Sequence, residues 1–578
     1  MVSEQEKGQA SIEALREIAK VHGFSMRPQD EPGYLGIVRA AQESVEYVEQ
    51  IKDYVDPGLI CDRNVGDRTY TLPSPSENPL NAWSHRTYIK AQSTADNTGL
   101  LVGRTVAIKD NVSIAGVPMT CGTQPFHLCK DKPAPIPEID APIVSRVLEA
   151  GATITGTSTC ENYCVSAMSS TSATGPVENP WLRGYSTGGS SSGSAALIAV
   201  NFIKNRRRSS GLPVELERLG EGVDLAIGGD QGGSIRIPAA YCGIYGLKPT
   251  HGLVPYTGIG SLLPFLDHCG PMASSVRDTA TLLSVLAGYD GFDPRMTPET
   301  PLRAAAPQYH ALLDEQIAAR TAAGTWTHHA AARGLRVGVL KEAFEIAGLD
   351  TEVASVVRKA ASRFTALGAS VAEVSVPLHR AAPHIFTAAT RAYMADSLLF
   401  GKGSSTSPSP AFPFLGAAAP APDQAWYETM TASNPLVVAV LLSSEFLQAR
   451  YPETARRKAV RHVHELRAAY DEILQRVDVL IMPATPTVAP RHAAADMGIG
   501  EKADFLLSNI LNTVPFNVTG HPGLVMPVGW GRVGDGDGNT AAKLPVGMQI
   551  VGKRWDEETV FLAAAAWEVG GLGLNDEE

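Results

Sequence analysis

The chain has no long apolar run, no excess of positive charge and few cysteines, and each shortage argues against a class of protein. No uninterrupted apolar run of about 18 residues occurs, so we expect no membrane span. The net charge of −11 argues against a general nucleic-acid binder, which needs a basic footprint. The polar start of the sequence lacks the apolar core that is typical of a signal peptide.

The seven cysteines are too few to form a disulfide framework in a chain of 578 residues. Their odd number favours a reducing compartment, and we predict a cytoplasmic protein. Cys160 and Cys164 form a close pair in the sequence, but no second cysteine or histidine pair follows at the spacing of a zinc site. We therefore expect ordinary thiols, no metal and no other cofactor.

Apolar residues, in contrast, are abundant: they make up 44% of the chain, against 19% charged residues, as in ordinary globular proteins. From residue 105 onward, short apolar runs that suit strands alternate with helical patterns. Residues 335–376, for example, predict a strand, a helix and a second strand. This alternation predicts an α/β architecture, with helices on both faces of one large sheet.

The N-terminal 75 residues differ from this pattern, and we assign residues 1–75 to a helical extension and linker. One apolar stripe in it repeats at steps of three and four residues, as on one face of a helix; its members are Val38, Ala41, Val45 and Val48. Such a stripe belongs either to a core or to a dimer interface. A homodimer formed through the N-terminal helices is therefore one possible assembly.

Two further segments interrupt the main domain, which we assign to residues 76–578. Residues 203–221 include the consecutive arginines Arg206 to Arg208 and predict a surface insert with a solvated loop. Residues 401–425 are rich in proline, alanine and serine and predict a mobile surface loop.

Two glycine- and serine-rich clusters, residues 188–196 and 228–236, carry the most chemical information. A serine is a poor nucleophile unless a base takes its proton and backbone N–H groups receive the developing oxyanion. Such runs are common in flexible linkers, but both clusters join a predicted strand to a predicted helix. Lys109 follows another predicted strand. Together these segments would supply nucleophile, base and oxyanion hole, which points to acyl transfer.

The order of these segments resembles the amidase signature family over residues 75–570. The matching segments are residues 107–111, 179–181, 188–196, 230–239, 242–250, 267–272 and 545–552. The chain is most similar to the amidases associated with nitrile degradation, through residues 226–234 and 513–522 and through its N-terminal extension. It departs from the family in the insert and at Ser192, where many members have glycine. The resemblance implies one large mixed β-sheet covered by helices.

The resemblance also implies a triad of two serines and a lysine. Ser234 would be the acylated nucleophile, Ser190 the bridging serine after a cis peptide bond with Gly189, and Lys109 the terminal base. A lysine accepts a proton only when neutral, and burial disfavours its charged form. Four backbone N–H groups would form the oxyanion hole, those of Gln231, Gly232, Gly233 and Ser234.

Other residues near these motifs have predicted roles in binding or in support of the loops. We predict substrate contacts from four residues, Cys164, Val165, Met168 and Ser191. We expect Asp230 and Arg236 to pair and stiffen the second cluster. A Ser-His-Asp triad is disfavoured, because no Gly-x-Ser-x-Gly elbow lies between a strand and a helix.

The activity that the resemblance implies is hydrolysis of a carboxamide C–N bond to a carboxylate and ammonia. The substrate would be a small amide or carbamate, with no nucleic acid and no membrane involved. A carbamate (urethane) or ester hydrolase with the same triad is the main alternative. A glutamine-hydrolysing amidotransferase subunit is another, although the N-terminal extension argues against it.

Overall fold

The computed structural model describes residues 8–52, 54–61, 68–91, 99–129, 134–210, 216–401, 419–494, 496–533 and 542–569. The chain divides into two compact units, Met1–Pro57 and Gly58–Glu578. Most of the predicted mobile loop, residues 402–418, lies outside the described residues. The end of that predicted loop, residues 424 and 425, belongs to a helix.

The N-terminal unit contains two helices, α1 (Ile12–Val21) and α2 (Glu31–Gln50). An ion pair between Arg16 and Glu31, with an N–O distance of 2.7 Å, links them. The predicted apolar stripe on α2 is not buried: the exposed fractions are 38% for Val38, 60% for Val45 and 60% for Val48. The stripe is therefore not part of a core of this unit.

The strands of the larger unit form a single mixed sheet of twelve strands within the described residues. Their bounds are β1 Tyr70–Thr71, β2 Trp83–Lys90, β3 Thr105–Lys109, β4 Thr153–Ser158, β5 Leu225–Gly229, β6 Tyr245–Lys248, β7 Cys269–Ala273, β8 Arg336–Leu340, β9 Ser370–Val374, β10 Val479–Pro483, β11 Gly523–Arg532 and β12 Lys543–Gly552. The spatial order is β1-β2-β4-β3-β5-β7-β6-β11-β12-β10-β8-β9. Strand β3 runs parallel to β4 and β5, and β8 runs parallel to β9 and β10.

The larger unit also contains the helices α3 to α16 within the described residues. Their bounds are α3 Pro142–Glu149, α4 Ser192–Ser209, α5 Leu216–Leu219, α6 Arg236–Cys242, α7 Val276–Leu286, α8 Tyr309–Ala322, α9 Thr351–Ala366, α10 Ala382–Leu398, α11 Gln424–Ser433, α12 Pro435–Arg450, α13 Glu453–Arg476, α14 Ile499–Leu507, α15 Val514–Thr519 and α16 Glu557–Glu568. None of the described helices is long and apolar enough to cross a membrane.

Helices pack on both faces of the sheet, as β3 illustrates. Alternate residues of a strand point to opposite faces. Val106 and Ile108 belong to the same buried cluster as residues of α3 and α7, whereas Ala107 belongs to a cluster with residues of α4 and α6. The predicted strand, helix and strand of residues 335–376 are β8, α9 and β9. The predicted α/β fold with one large mixed sheet is confirmed.

Helix α4 extends further than the sequence pattern indicated. Its small and apolar residues are buried, and the helix continues to Ser209. Arg206, Arg207 and Arg208 therefore form its last turn and not a loop, so the predicted loop is wrong at these positions. Arginine has a good helix propensity, and positive charge is favourable at a helix C-terminus. Residues 211–215, in the rest of the predicted insert, lie outside the described residues.

Candidate active site

The site lies at the carboxyl ends of three parallel strands. Lys109 is the last residue of β3 and is paired with Ser158, the last residue of β4. Gly229 ends β5 on the other side of β3. The segments that follow parallel strands meet at one edge of a sheet, where ligands bind in open α/β folds. The second glycine-serine cluster follows β5 at this edge.

Lys109 and Ser190 form a buried pair. The Lys109 Nζ donates a hydrogen bond of 2.8 Å to the Ser190 Oγ, and both side chains have no solvent exposure. The peptide bond between Gly189 and Ser190 is cis. Backbone hydrogen bonds hold this segment: the Gly189 N–H donates to the Ala167 carbonyl, and the Ser190 carbonyl accepts from the Glu161 N–H. The structure thus brings together the predicted base and the predicted bridging serine.

Ser234 contacts Ser191, the residue after Ser190, but is not hydrogen-bonded to the Lys109–Ser190 pair. Its side chain is half-buried, unlike those of Lys109 and Ser190. Its carbonyl accepts a hydrogen bond of 3.2 Å from the Ser191 N–H, which ties the two clusters together. Its hydroxyl has no hydrogen-bond partner among the described residues. The lysine-to-serine hydrogen bond is formed, whereas Ser190 and Ser234 share no side-chain hydrogen bond.

Three of the four predicted oxyanion donors are free in this structure. The N–H groups of Gln231, Gly232 and Ser234 meet no acceptor among the residues that the structure describes. The Gly233 N–H instead donates to the Asp230 carboxylate, with an N–O distance of 2.7 Å. Gly233 has a φ of 136°, in a region that favours glycine, and a Cβ there would lie 2.5 Å from the Thr513 Oγ1. Gly233 therefore shapes the loop, and the other three N–H groups remain available.

A buried ion pair stiffens this loop, as predicted. Asp230 and Arg236 are both fully buried and 2.9 Å apart. The Arg236 guanidinium also donates to the Asn517 and Gln549 side chains and to the Thr513 carbonyl. Burial alone would raise the pKa of Asp230, but the Arg236 charge reverses this effect and holds that pKa well below its ordinary value. The loop is thus fixed from both sides by charge-assisted hydrogen bonds.

We expect Arg236→Met to destabilise the fold strongly, because it leaves the Asp230 charge buried and unpaired. Loss of one partner of a buried pair costs about 3–5 kcal/mol. The free energy of unfolding, measured by urea denaturation, should fall by that amount. The control is Arg277→Met, because Arg277 pairs with Asp314 at the surface and its loss should cost less than about 1 kcal/mol. Equal losses for the two variants would contradict a special role for the buried pair.

A small cavity of about 20 Å³ lies next to the second cluster. Its walls come from several loops and one helix end: Asn111, Cys121, Tyr163, Cys164, Gln231, Gly260, Ser261, Leu262 and Leu398. The volume holds about one water molecule. The wall combines apolar, thiol and amide groups, and it includes Cys164, one of the predicted substrate contacts.

The other three predicted substrate contacts do not line this cavity. Val165 packs against the hydrophobic core. Met168 is buried, and its sulfur accepts a hydrogen bond from Asn509. The Ser191 hydroxyl is bonded to both the N–H and the carbonyl of Gly229. These side chains are occupied by packing and by support of the backbone, so Cys164 is the member of the set that faces the open space.

The histidines in the matched motifs are not arranged as catalytic bases. His268 Nδ1 lies 2.7 Å from the Leu266 carbonyl oxygen, and burial lowers the pKa of His268 well below its ordinary value. His521 contacts Thr519 and Asp471. Within the described ranges no histidine is hydrogen-bonded to Ser190 or Ser234. The geometry gives a Ser-His-Asp triad no support.

Several residues of the site were missed in the sequence. Asn517 and Gln549 accept hydrogen bonds from Arg236. Each is a polar residue within an apolar motif, and that polarity could have indicated a role in the site. Cys121 and Tyr163 line the cavity, and no local pattern indicated them. No group of three or more metal-ligating side chains occurs among the residues that the structure describes.

Comparison with known proteins decides the family. The Amidase family matches residues 78–204 and 220–561, which is most of the chain. The chain belongs to the amidase signature family. The match skips residues 205–219, which lie within the predicted insert at residues 203–221. The protein is an amidase-family enzyme, a hydrolase that acts on amides.

Individual relatives and structures agree with this assignment. The chain is 38% identical to an enantioselective amidase of Rhodococcus rhodochrous over 510 residues, 87% of this chain and 85% of the relative. It is 30% identical to a glutamyl-tRNA(Gln) amidotransferase subunit of Synechococcus sp. over 536 residues, 88% of this chain and 93% of the relative. The crystal structure of the peptide amidase of Stenotrophomonas maltophilia matches with a TM-score of 0.58 and 26% identity, covering 82% of this chain and 83% of that one.

Proposed function

We propose that this enzyme is an acylamide amidohydrolase that cleaves a carboxamide to a carboxylate and ammonia through an acyl-enzyme on Ser234. The observation that carries the proposal is the 2.8 Å hydrogen bond between Lys109 and Ser190, both fully buried at the carboxyl end of β3. A proton relay needs a buried base that contacts one serine, and a second serine that the substrate can reach. Lys109, Ser190 and the half-buried Ser234 match these three requirements.

In the proposed mechanism, neutral Lys109 takes the proton of Ser190 while Ser190 takes the proton of Ser234. The Ser234 oxygen then attacks the amide carbonyl, and the free N–H groups of the loop hold the oxyanion. Loss of one such donor typically costs ~10²–10³-fold in rate. Ser190 returns a proton to the departing ammonia, and water releases the carboxylate by the same path in reverse.

The relatives support an amide substrate more than a tRNA-linked reaction. The chain is more similar to the enantioselective amidase than to the amidotransferase subunit, at 38% against 30% identity. Among the residues that the structure describes, the cavity wall offers thiol, apolar and amide groups and no cation to bind a glutamine carboxylate. A small uncharged amide is therefore the proposed substrate.

A panel of substrates tests this proposal. Ammonia release is measured from an aliphatic amide, an aromatic amide, ethyl carbamate and glutamine, with the matched ethyl ester followed by acid release. We expect the highest kcat/KM on one of the two uncharged amides. Highest activity on ethyl carbamate or on the ester would favour the alternative hydrolase, and activity on glutamine alone would favour the amidotransferase function.

We also propose that the enzyme works in a reducing cytoplasm, because all seven cysteines are free thiols in the structure.

We further propose that the enzyme is a homodimer formed through its N-terminal helices. The apolar stripe on α2 is exposed and suits a second copy of the same face, because a large exposed apolar surface marks an interaction site.

We expect Val45→Asp with Val48→Asp to convert the dimer into a monomer, because buried charges at the interface oppose association. Size-exclusion chromatography with light scattering measures the mass of each form. The control is Glu43→Gln, because Glu43 lies on another face of α2 and its loss should leave the mass unchanged. A monomeric wild type, or a dimer that survives the double substitution, would contradict this interface.

A further inference from the structure

Two cysteine thiols meet at the cavity wall, in a contact that the proposed hydrolysis does not use. The Cys164 and Cys160 sulfurs are 3.7 Å apart. Cys160 is fully buried, whereas Cys164 is half-buried and lines the cavity together with Gln231 of the oxyanion loop. Of this pair, a small molecule that reaches the cavity therefore meets Cys164 before Cys160.

The geometry points to a redox modification site: we propose that a hydroperoxide oxidises Cys164 and that Cys160 then closes a disulfide with it. The oxidation itself goes beyond the proposed amide hydrolysis, and its effect on activity rests on the proposed function. A disulfide requires an S–S distance of about 2.05 Å, so the sulfurs must approach by about 1.7 Å from their present contact. Three residues, Glu161 to Tyr163, connect the two cysteines in a short turn, and the last two of them begin the 3-10 helix Asn162–Cys164.

The roles of the two thiols differ with their surroundings. The contact with Cys160 lowers the pKa of the Cys164 thiol against the opposing effect of burial, whereas burial raises the pKa of Cys160. The thiolate is the form that attacks a peroxide. Cys164 is therefore the attacking thiol, and Cys160 the resolving one.

The chemistry balances in two steps. The Cys164 thiolate attacks one peroxide oxygen, the O–O bond breaks, and the products are a sulfenic acid at Cys164 and an alkoxide or hydroxide that takes up a proton. The Cys160 sulfur then attacks the Cys164 sulfur, the S–S bond forms, and the S–O bond breaks. The leaving hydroxide takes the Cys160 proton as water. The two thiols lose two electrons in all, and the hydroperoxide gains them.

The turn between the cysteines connects this pair to the relay. The Glu161 N–H donates to the Ser190 carbonyl, with an N–O distance of 3.3 Å. The Glu161 carboxylate accepts from the Ser192 hydroxyl at 2.8 Å and from Thr171. Closing the disulfide pulls on this turn and hence on the segment that holds Ser190. A displacement of about 1 Å at such a site costs about 100-fold in rate, so oxidation should inactivate the enzyme reversibly.

Peptide mapping after peroxide treatment tests the pair directly. Trypsin leaves Cys160 and Cys164 together on one peptide, residues 147–183, which contains no other cysteine. After hydrogen peroxide treatment of the reduced full-length enzyme, both thiols should resist alkylation and the peptide should have lost two hydrogen atoms. Benzamide hydrolysis should fall about 100-fold and recover with dithiothreitol.

Variants separate this disulfide from general oxidation. Cys160→Ala keeps a small apolar group at the buried position and should keep its basal activity; under peroxide its peptide should gain oxygen at Cys164 without losing two hydrogens. If Cys160→Ala folds poorly, Cys160→Ser is used for the same readout. Cys61→Ala, which removes a half-buried thiol outside the pair, should keep the wild-type response. A wild-type peptide that only gains oxygen or stays alkylatable would overturn the pair, and a disulfide that leaves hydrolysis unchanged would overturn the control of activity.

Discussion

Ser234→Ala should abolish amide hydrolysis and prevent acyl-enzyme formation while leaving the fold intact. The substitution removes one hydroxyl that makes no hydrogen bond with the described residues, so it disturbs no contact that holds the loop. Loss of a nucleophilic serine costs about 10⁴-fold or more in kcat, because residual rate comes only from the oxyanion hole and binding. Ammonia release and the mass of the protein after reaction with a sulfonyl fluoride measure the two effects.

Ser194→Ala is the matched control for this prediction. The Ser194 hydroxyl lies in the first cluster and contacts the Ser158 hydroxyl at 2.7 Å, and it makes no hydrogen bond with Ser234. Its loss should leave the sulfonyl adduct in place and change kcat by less than about tenfold. A Ser234→Ala variant that still hydrolyses amides at the wild-type rate and carries the adduct on a serine would exclude Ser234 as the nucleophile.

The fold was predictable where local pattern and burial agree. Strands such as β3 and β10 are short apolar runs, and α9 has a clear helical period, so their type and order follow from the sequence. The end of α4 was not predictable in the same way. Consecutive arginines at 206 to 208 resemble a solvated loop, yet they suit a helix C-terminus equally well.

The site was predictable only in part, because its contacts differ in range along the chain. Asp230 and Arg236 are six residues apart within one motif, and their pairing was expected. Arg236 also contacts Asn517 and Gln549, which are 281 and 313 residues away, and no local pattern encodes such a pairing.

The predicted substrate contacts show a second limit of sequence reasoning. Cys164 and Val165 are neighbours in the chain, but Tyr163 and Cys164 have φ angles of 51° and 58°. This left-handed turn directs Cys164 to the cavity, while Val165 packs in the core. Non-glycine residues adopt this conformation only occasionally, and a single sequence gives no signal for it.

Lys109→Met should reduce amide hydrolysis about 10⁴-fold, because the proposed base of the relay is lost. Methionine fills much of the space of the buried lysine without its amino group, so the loss reports chemistry and not a cavity. Lys204→Met is the control: Lys204 is another buried lysine, but it donates to the Gly220 carbonyl and not to a serine. Its substitution should leave amide hydrolysis within about tenfold of wild type.

The comparison of a matched amide and ester in Lys109→Met distinguishes the two jobs of the relay. Lys109 donates to Ser190 in the structure, so it can both activate Ser234 through Ser190 and supply the proton that an amine leaving group needs. An alkoxide leaves with less help, so the fall in kcat/KM for the ester should be nearer to about 10²-fold, the lower limit for general acid–base catalysis. Equal falls in kcat/KM for both substrates would remove the leaving-group role, and no fall for either would remove Lys109 from the mechanism.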